Sequence, residues 1–215
     1  MTPTESLSGA LPAYTQGLAL CLSLIVAIGA QNAYVLRQGL RREQVGSVVA
    51  FCALADLVLV AAGVLGLGRV LGASPGLARA LALVGAVFLA AYGVLALRRA
   101  RHAQPLKAAA SGPGLGRGAA VAQAAAFTLL NPHVYLDTVL LVGSVGAQQP
   151  AALRGWFIAG AGSASLGWFA LLGWGARWLA PWFAQPRAWQ RLDGLVGGMM
   201  LVLAALLLRQ AWAGG

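Results

Sequence analysis

Asp56 is the residue whose position most needs a reason. Eleven residues of an apolar run precede it (Val45–Ala55) and eleven follow it (Leu57–Leu67), which puts a carboxylate near the middle of a membrane-length segment. An aspartate at that depth costs about 2.5–3.5 kcal/mol on insertion scales. An acid kept at that cost serves as a proton or cation site, or else it pairs with an arginine from another segment. Arg69 and Arg79 could supply that partner only if their helices dip inward.

A second constellation is Asn131-Pro132-His133-Val134-Tyr135-Leu136-Asp137. Pro132 has no N–H and its ring clashes with the preceding turn, so a helix running through it kinks or breaks. Asn131 suits an N-cap and Pro132 a first helical residue. A half-helix starting there would present free N–H groups and a positive dipole end, to which a carboxylate is the natural guest. The plainer reading is a proline kink. On a regular α-helix His133 and Asp137 share one face, with Tyr135 and Thr138 close by. His133 is then a candidate proton carrier, or simply a hydrogen-bond partner of Asp137. Too few ligands converge for a metal site, and none is expected.

A third is Gly29-Ala30-Gln31-Asn32, two adjacent carboxamides in an apolar run. They need partners, across a helix interface or along a polar path, and Gly29 would permit unwinding. Asp193 reads as an interfacial cap, Gly194-xxx-Gly198 as a helix-packing motif, and Ser163 and Ser165 as interhelical or substrate-facing hydroxyls. Cys21 and Cys52 lie inside apolar runs, without CxxC or zinc spacing.

The elements that must carry these residues follow from composition. Of 215 residues only 9% are charged, 60% are hydrophobic, and mean hydropathy is +0.77. That much apolar surface argues against a water-soluble enzyme, a disordered tail or a secreted disulfide scaffold, and for a polytopic helical membrane protein. The net charge of +10 sits in gaps between apolar runs rather than on one face, so no nucleic-acid partner is expected. Six spans are predicted: Tyr14–Leu36, Val45–Leu67, Ala80–Leu97, Ala119–Val145, Gly155–Trp174 and Leu192–Leu208. Their continuous apolarity selects helices over barrel strands. The leading segment Met1–Ala13 has no Lys or Arg, unlike a secretory signal, so the first span reads as a retained helix.

Eleven basic residues fall in the loops after spans one, three and five, and four on the other side. The richer side is expected in the cytoplasm, with both termini outside. Tyr14, Tyr92, Trp156, Trp174 and Trp189 are placed for an interfacial belt. Residues 98–118 read as a basic cytoplasmic linker; its GPGLGRG run (Gly112–Gly118) lacks the Lys-Ser/Thr of a phosphate loop and reads as a hinge. It separates a first half, 14–97, from a second, 119–208, within a single membrane domain. Asn32-Ala33-Tyr34-Val35 and Asn131-Pro132-His133-Val134 echo each other 99 positions apart. Three spans per half force opposite insertion. The expected fold is therefore all-α: six transmembrane helices as two inverted three-helix repeats, with helix four broken at Asn131-Pro132.

Three stretches carry a resemblance: GAQNAYVLRQGLRRE (Gly29–Glu43), ALADLVL (Ala53–Leu59) and LLNPHVYLDTVLLVGSVG (Leu129–Gly146), with a looser match over Arg154–Phe169. The chain resembles the lysine/arginine exporter (LysE-type) family of bacterial inner membranes, its arginine-exporting branch above all. The resemblance implies a secondary transporter, not an enzyme, that exports L-arginine and perhaps also L-lysine. It carries over Gln31, Asn32, Asp56, Asn131, Pro132 and Asp137 as substrate-binding positions, without a cofactor. The family usually has Pro where Ala30 stands, which leaves open whether the first helix is broken.

Expelling one positive charge against an inside-negative potential costs about 2.3 kcal/mol per 100 mV, and inward movement of one proton would offset it. Asp56 could serve both cations, with His133 as a second proton-coupling candidate. The rivals are export of another small amino acid or cation on the same architecture, a passive channel, and a thiol-redox protein using Cys21 and Cys52. The expected partners are a basic amino acid and membrane lipid, with a homo-oligomer allowed.

Overall fold

The computed structural model describes residues 3–26, 29–67, 75–101, 114–131 and 134–213. Among the described residues the chain is helical throughout, as a lipid-embedded backbone must be to pair its own N–H and C=O groups. Eight α-helices follow one another: α1 Pro3–Ile25, α2 Ala30–Arg41, α3 Val45–Ala62, α4 Pro75–Arg101, α5 Arg117–Leu129, α6 Gly143–Ala147, α7 Arg154–Leu179 and α8 Pro186–Ala213. Helix α3 runs on as a π-helical turn, Gly63–Leu67, and α6 is preceded by a π-helical stretch, Tyr135–Val142.

Four segments are long and apolar enough to cross a bilayer: Val45–Gly66, Ala82–Arg101, Arg154–Leu179 and Pro186–Arg209. One further helix pair is apolar enough only when taken together, Gly9–Ile25 with Ala30–Arg41 at 83°, the geometry of a broken span or of a re-entrant loop. The protein is thus a multi-pass membrane protein. The predicted fourth span is not one continuous helix. Helix α5 stops at Leu129, and regular structure resumes only as the π-helical stretch from Tyr135, with Pro132 and His133 outside the described residues. The first span also starts earlier than predicted, since α1 is helical from Pro3 and tolerates Pro12 in its interior.

Small residues set the helix crossings, because in lipid close backbone approach replaces the hydrophobic effect as the packing force. Helix α1 packs on α7 where Gly17 meets Gly160: a Cβ on Gly160 would lie 2.0 Å from the Tyr14 carbonyl oxygen. Helix α2 packs on α7 at Gly39 and Gly173, and α4 on α8 at Gly93 and Gly197. The expected packing motif is corrected here. A Cβ on Gly194 or Gly198 would meet nothing within 4 Å, because the helix turns Gly197 toward α4 instead.

Aromatic residues fill the centre. The Phe127 ring lies 5.0 Å from Tyr34 and 4.6 Å from Tyr92, and Tyr34 donates its hydroxyl to the Ala120 carbonyl at 2.9 Å. Of the predicted interfacial belt, Trp189 is internal and Tyr92 is half-buried. Tyr92 packs in this cluster, and Trp189 is buried with its indole N–H on the Phe183 carbonyl. Trp156 and Trp174 are exposed, as a belt requires. Asp193 is not an interfacial cap. It is buried and clasped by Arg37 at 2.5 Å, with Arg99 at 3.7 Å, joining α2, α4 and α8. Arg37 and Arg99, read as loop charges, turn inward because that acid offers a partner.

Candidate functional site

A cavity of about 260 Å³ lies where the two interrupted helices meet α3. Its walls include Gln31, Asn32, Asp56, Asn131 and Asp137, five of the six positions expected to bind substrate. The sixth, Pro132, and the proton-coupling candidate His133 lie outside the described residues. Gly29, Thr138 and Cys21 add to the polar wall, and Leu24, Ile25, Val142, Met199 and Leu203 to an apolar one. Among the described residues the wall contains two carboxylates and no Lys or Arg.

Each polar side chain reaches the cavity for a local reason. Helix α1 ends at Ile25, and α2 starts afresh at Ala30 with Gly29 as its N-cap. Gly29 has φ −116° and ψ −178°, extended backbone that any residue adopts, so the break does not depend on glycine's freedom. Nor does it need a proline at position 30. Asn32 holds it: its Nδ2 donates to the Ile25 carbonyl at 2.6 Å, pairing an acceptor that the interrupted helix leaves open. The second break is held in a similar way, with the Tyr135 hydroxyl donating to the Leu129 carbonyl at 2.8 Å. In both cases a side chain beyond the break pairs a carbonyl at the end of the helix before it.

The α2 start faces the cavity, since Gly29, Gln31 and Asn32 all line it. Its first-turn N–H groups and dipole end favour an anionic group. Gln31 sharpens this: it is nine-tenths buried with its side chain beside the Asp56 carboxyl and the Cys52 thiol, and among the described residues its Nε2 meets no acceptor in full hydrogen-bond geometry. A buried amide donor without a partner costs free energy, which a bound acceptor would recover.

Asp56 is buried, and Ser165 on α7 donates its hydroxyl to Oδ2 at 3.0 Å. Among the described residues the ion pairs join Arg37 to Asp193, Arg41 to Glu43 and Arg99 to Asp193, so no described guanidinium holds Asp56. Arg79 is exposed, and Arg69 lies outside the described residues. Asp137 sits on the π-helical stretch, where i→i+5 bonding displaces side chains from their α-helical faces. His133, which α-helical spacing would set on the face of Asp137, lies outside the described residues. A π-helical stretch beside a cavity is itself a frequent mark of a functional site.

The sequence left Ser163 and Ser165 equivalent, and the fold separates them. Ser165 is fully buried against Asp56, whereas Ser163 is exposed and bonds its own helix at the Ala159 carbonyl. Two residues on a helix point to nearly opposite sides, and only the docking of α7 decides which faces inward. Cys21 and Cys52 are both free and buried, in separate clusters. Among the described residues no group of three His, Cys, Asp or Glu side chains could hold a metal ion.

The LysE type translocator family matches residues 22–211. A Mycobacterium tuberculosis protein provisionally named an amino-acid transporter is 46% identical over 187 residues, covering 87% of this chain and 92% of that protein. The arginine exporter protein ArgO of Yersinia enterocolitica is 40% identical over 200 residues, 93% of this chain and 98% of its own. ArgO of Serratia proteamaculans is 40% identical over 204 residues, 95% of this chain and 98% of its own. No solved structure matches the chain. With the family match spanning nearly the whole molecule, the chain belongs to the LysE type translocators.

Proposed function

We propose that this protein exports L-arginine, with L-lysine as a second substrate, across the bacterial inner membrane in exchange for a proton. One observation carries the reading. Asp56 and Asp137 line a single cavity whose described wall has no Lys or Arg, and two interrupted helices open onto it. Such a wall suits a cation with an apolar stem and a carboxylate end. Asp56, ionised, binds the guanidinium in a charge-assisted pair. The α2 start, the Gln31 amide and the segment from Asn131 to Pro132 receive the substrate carboxylate. The apolar wall of Met199, Leu203 and Val142 receives the aliphatic stem. Protonation of Asp56 from outside releases the substrate, so one acid serves both cations in turn and no net charge moves. His133 is the second candidate on the proton path. The 40% identity to two arginine exporters supports the choice of substrate.

Six crossings in two inverted halves, 14–97 and 119–208, suit this cycle. Helix α1 packs on α7 as α5 packs on α3, and α2 packs on α7 as the π-helical stretch packs on α3. These paired relations are what an exchange of the two halves would produce. The excess of basic residues after spans one, three and five supports cytoplasmic loops there and both termini outside.

The test is radiolabelled arginine movement in proteoliposomes under an imposed proton gradient, with lysine, canavanine and threonine as competitors. Uphill, proton-dependent arginine transport that lysine and canavanine inhibit is expected. A gradient-independent leak points to a channel, and inhibition by threonine alone points to another amino acid on the same architecture. Asp56→Asn should abolish coupled transport; full coupled transport in that variant removes Asp56 from the mechanism.

A further inference from the structure

We propose that Ser165, backed by Cys21, is the positioning residue for the Asp56 carboxylate, holding Oδ2 against α7 and turning Oδ1 to the cavity. Three side-chain atoms follow one another within hydrogen-bond reach. Ser165 Oγ lies 3.0 Å from Asp56 Oδ2 and 3.4 Å from Cys21 Sγ, and all three residues are buried. A hydroxyl has one proton to give. When it goes to the ionised carboxylate, the Cys21 thiol is the donor that satisfies the Ser165 oxygen. When Asp56 is protonated, the chain can run the other way, from carboxyl to hydroxyl to sulfur. Each member keeps a partner in either state, so the acid gains and loses its charge without a buried group becoming unpaired.

The three members come from three helices: Cys21 from α1, Asp56 from α3 and Ser165 from α7. Their contact lies close to where these helices pack, since α7 touches both α1 and α3. The remaining described neighbours are of other kinds, and of these Gln31 also lies beside the Asp56 carboxyl. Helix α2 brings the uncharged Gln31, α8 the apolar Met199 and Leu203, and the π-helical stretch the like-charged Asp137. Without the Ser165 hydroxyl, the carboxylate is free to rotate toward the Gln31 amide and away from an incoming cation. The inference deepens the export reading, because orientation of Asp56 affects arginine only if Asp56 binds it.

Infrared difference spectroscopy of the purified protein in lipid reads the carboxyl stretch directly, with the Asp56 band assigned by its loss in Asp56→Asn. Ser165→Ala should move that band to the frequency of a carboxyl without a hydroxyl donor, and Ser165→Thr should restore it. Cys21→Ala should move it less. In proteoliposomes Ser165→Ala should raise the arginine KM about tenfold with kcat within about twofold, the loss of one hydrogen bond to a charged group. If Ser165→Ala leaves the Asp56 band in place, or no Asp56 band responds, the assignment is overturned. If the band moves and Ser165→Thr restores it while arginine transport is unaffected, Ser165 positions the acid and the export reading is what fails.

Discussion

Arg37 on α2 and Asp193 on α8 form a 2.5 Å ion pair in which the acid is buried and the guanidinium lies 5.2 Å over the Trp189 ring. Arg99 approaches the same carboxylate from α4 while lying 5.1 Å over Tyr92. One acid thus ties α2 to two other helices. Removing it leaves two guanidiniums facing each other without a counter-charge, and breaking a buried pair on one side costs about 3–5 kcal/mol. Asp193→Ala should therefore lower the thermal midpoint in detergent strongly. Replacing Arg37 by Leu in the same chain should recover part of the loss. An unchanged midpoint in Asp193→Ala would show that the cluster does not hold the helices.

The glycine crossings separate two kinds of small residue. Gly160→Ala puts a Cβ 2.0 Å from the Tyr14 carbonyl and must push α1 off α7. Folded yield, read by size-exclusion chromatography, should fall sharply. Gly194→Ala and Gly198→Ala enter open space and should behave as wild type. The reverse order would mean that the Gly-xxx-Gly motif, and not the Gly93–Gly197 contact, holds α8.

Much of this arrangement was legible because lipid simplifies the code. A mid-run acid, two carboxamides and an Asn-Pro pair stand out against an apolar background, and five of the six positions that the family resemblance marked for substrate binding line one cavity. What the sequence hid were contacts fixed only by docking. Ser165 could not be told from Ser163, nor Gly197 from its flanking glycines, since each choice depends on the rotation of one helix about its axis. Asp193 looked like a terminal cap because nothing in the sequence shows that Arg37 and Arg99 converge on it. The π-helical pitch of Tyr135–Val142 has no compositional sign either.

The hydrogen bonds that hold the two breaks should differ in worth. Asn32 is buried and bonds the Ile25 carbonyl at 2.6 Å, so Asn32→Leu leaves that acceptor without its side-chain donor. Tyr135→Phe loses a bond near the surface, to the Leu129 carbonyl. The first should cost about 1–3 kcal/mol and the second about 1 kcal/mol or less. Thermal midpoints in detergent give the order, and a larger loss for Tyr135→Phe would mean that the second break carries more of the fold.

Ala30 tests what makes the first span turn. It is the first residue of α2, where a proline's missing N–H and fixed φ are tolerated. Its N–H belongs to the group that an α-helix leaves without intrahelical partners. Ala30 is also fully buried, so the ring must find room among its neighbours. If the Asn32 bond and the extended Gly29 backbone already fix the 83° bend, Ala30→Pro changes little but the entropy of the unfolded chain. A gain of about 0.4–1 kcal/mol is then expected, with arginine transport retained. Gly29→Ala, whose added Cβ meets nothing within 4 Å, should likewise keep the fold. A large loss of stability in Ala30→Pro would show that the cavity wall cannot admit the ring, and a large loss in Gly29→Ala that the extended conformation at the break depends on glycine after all.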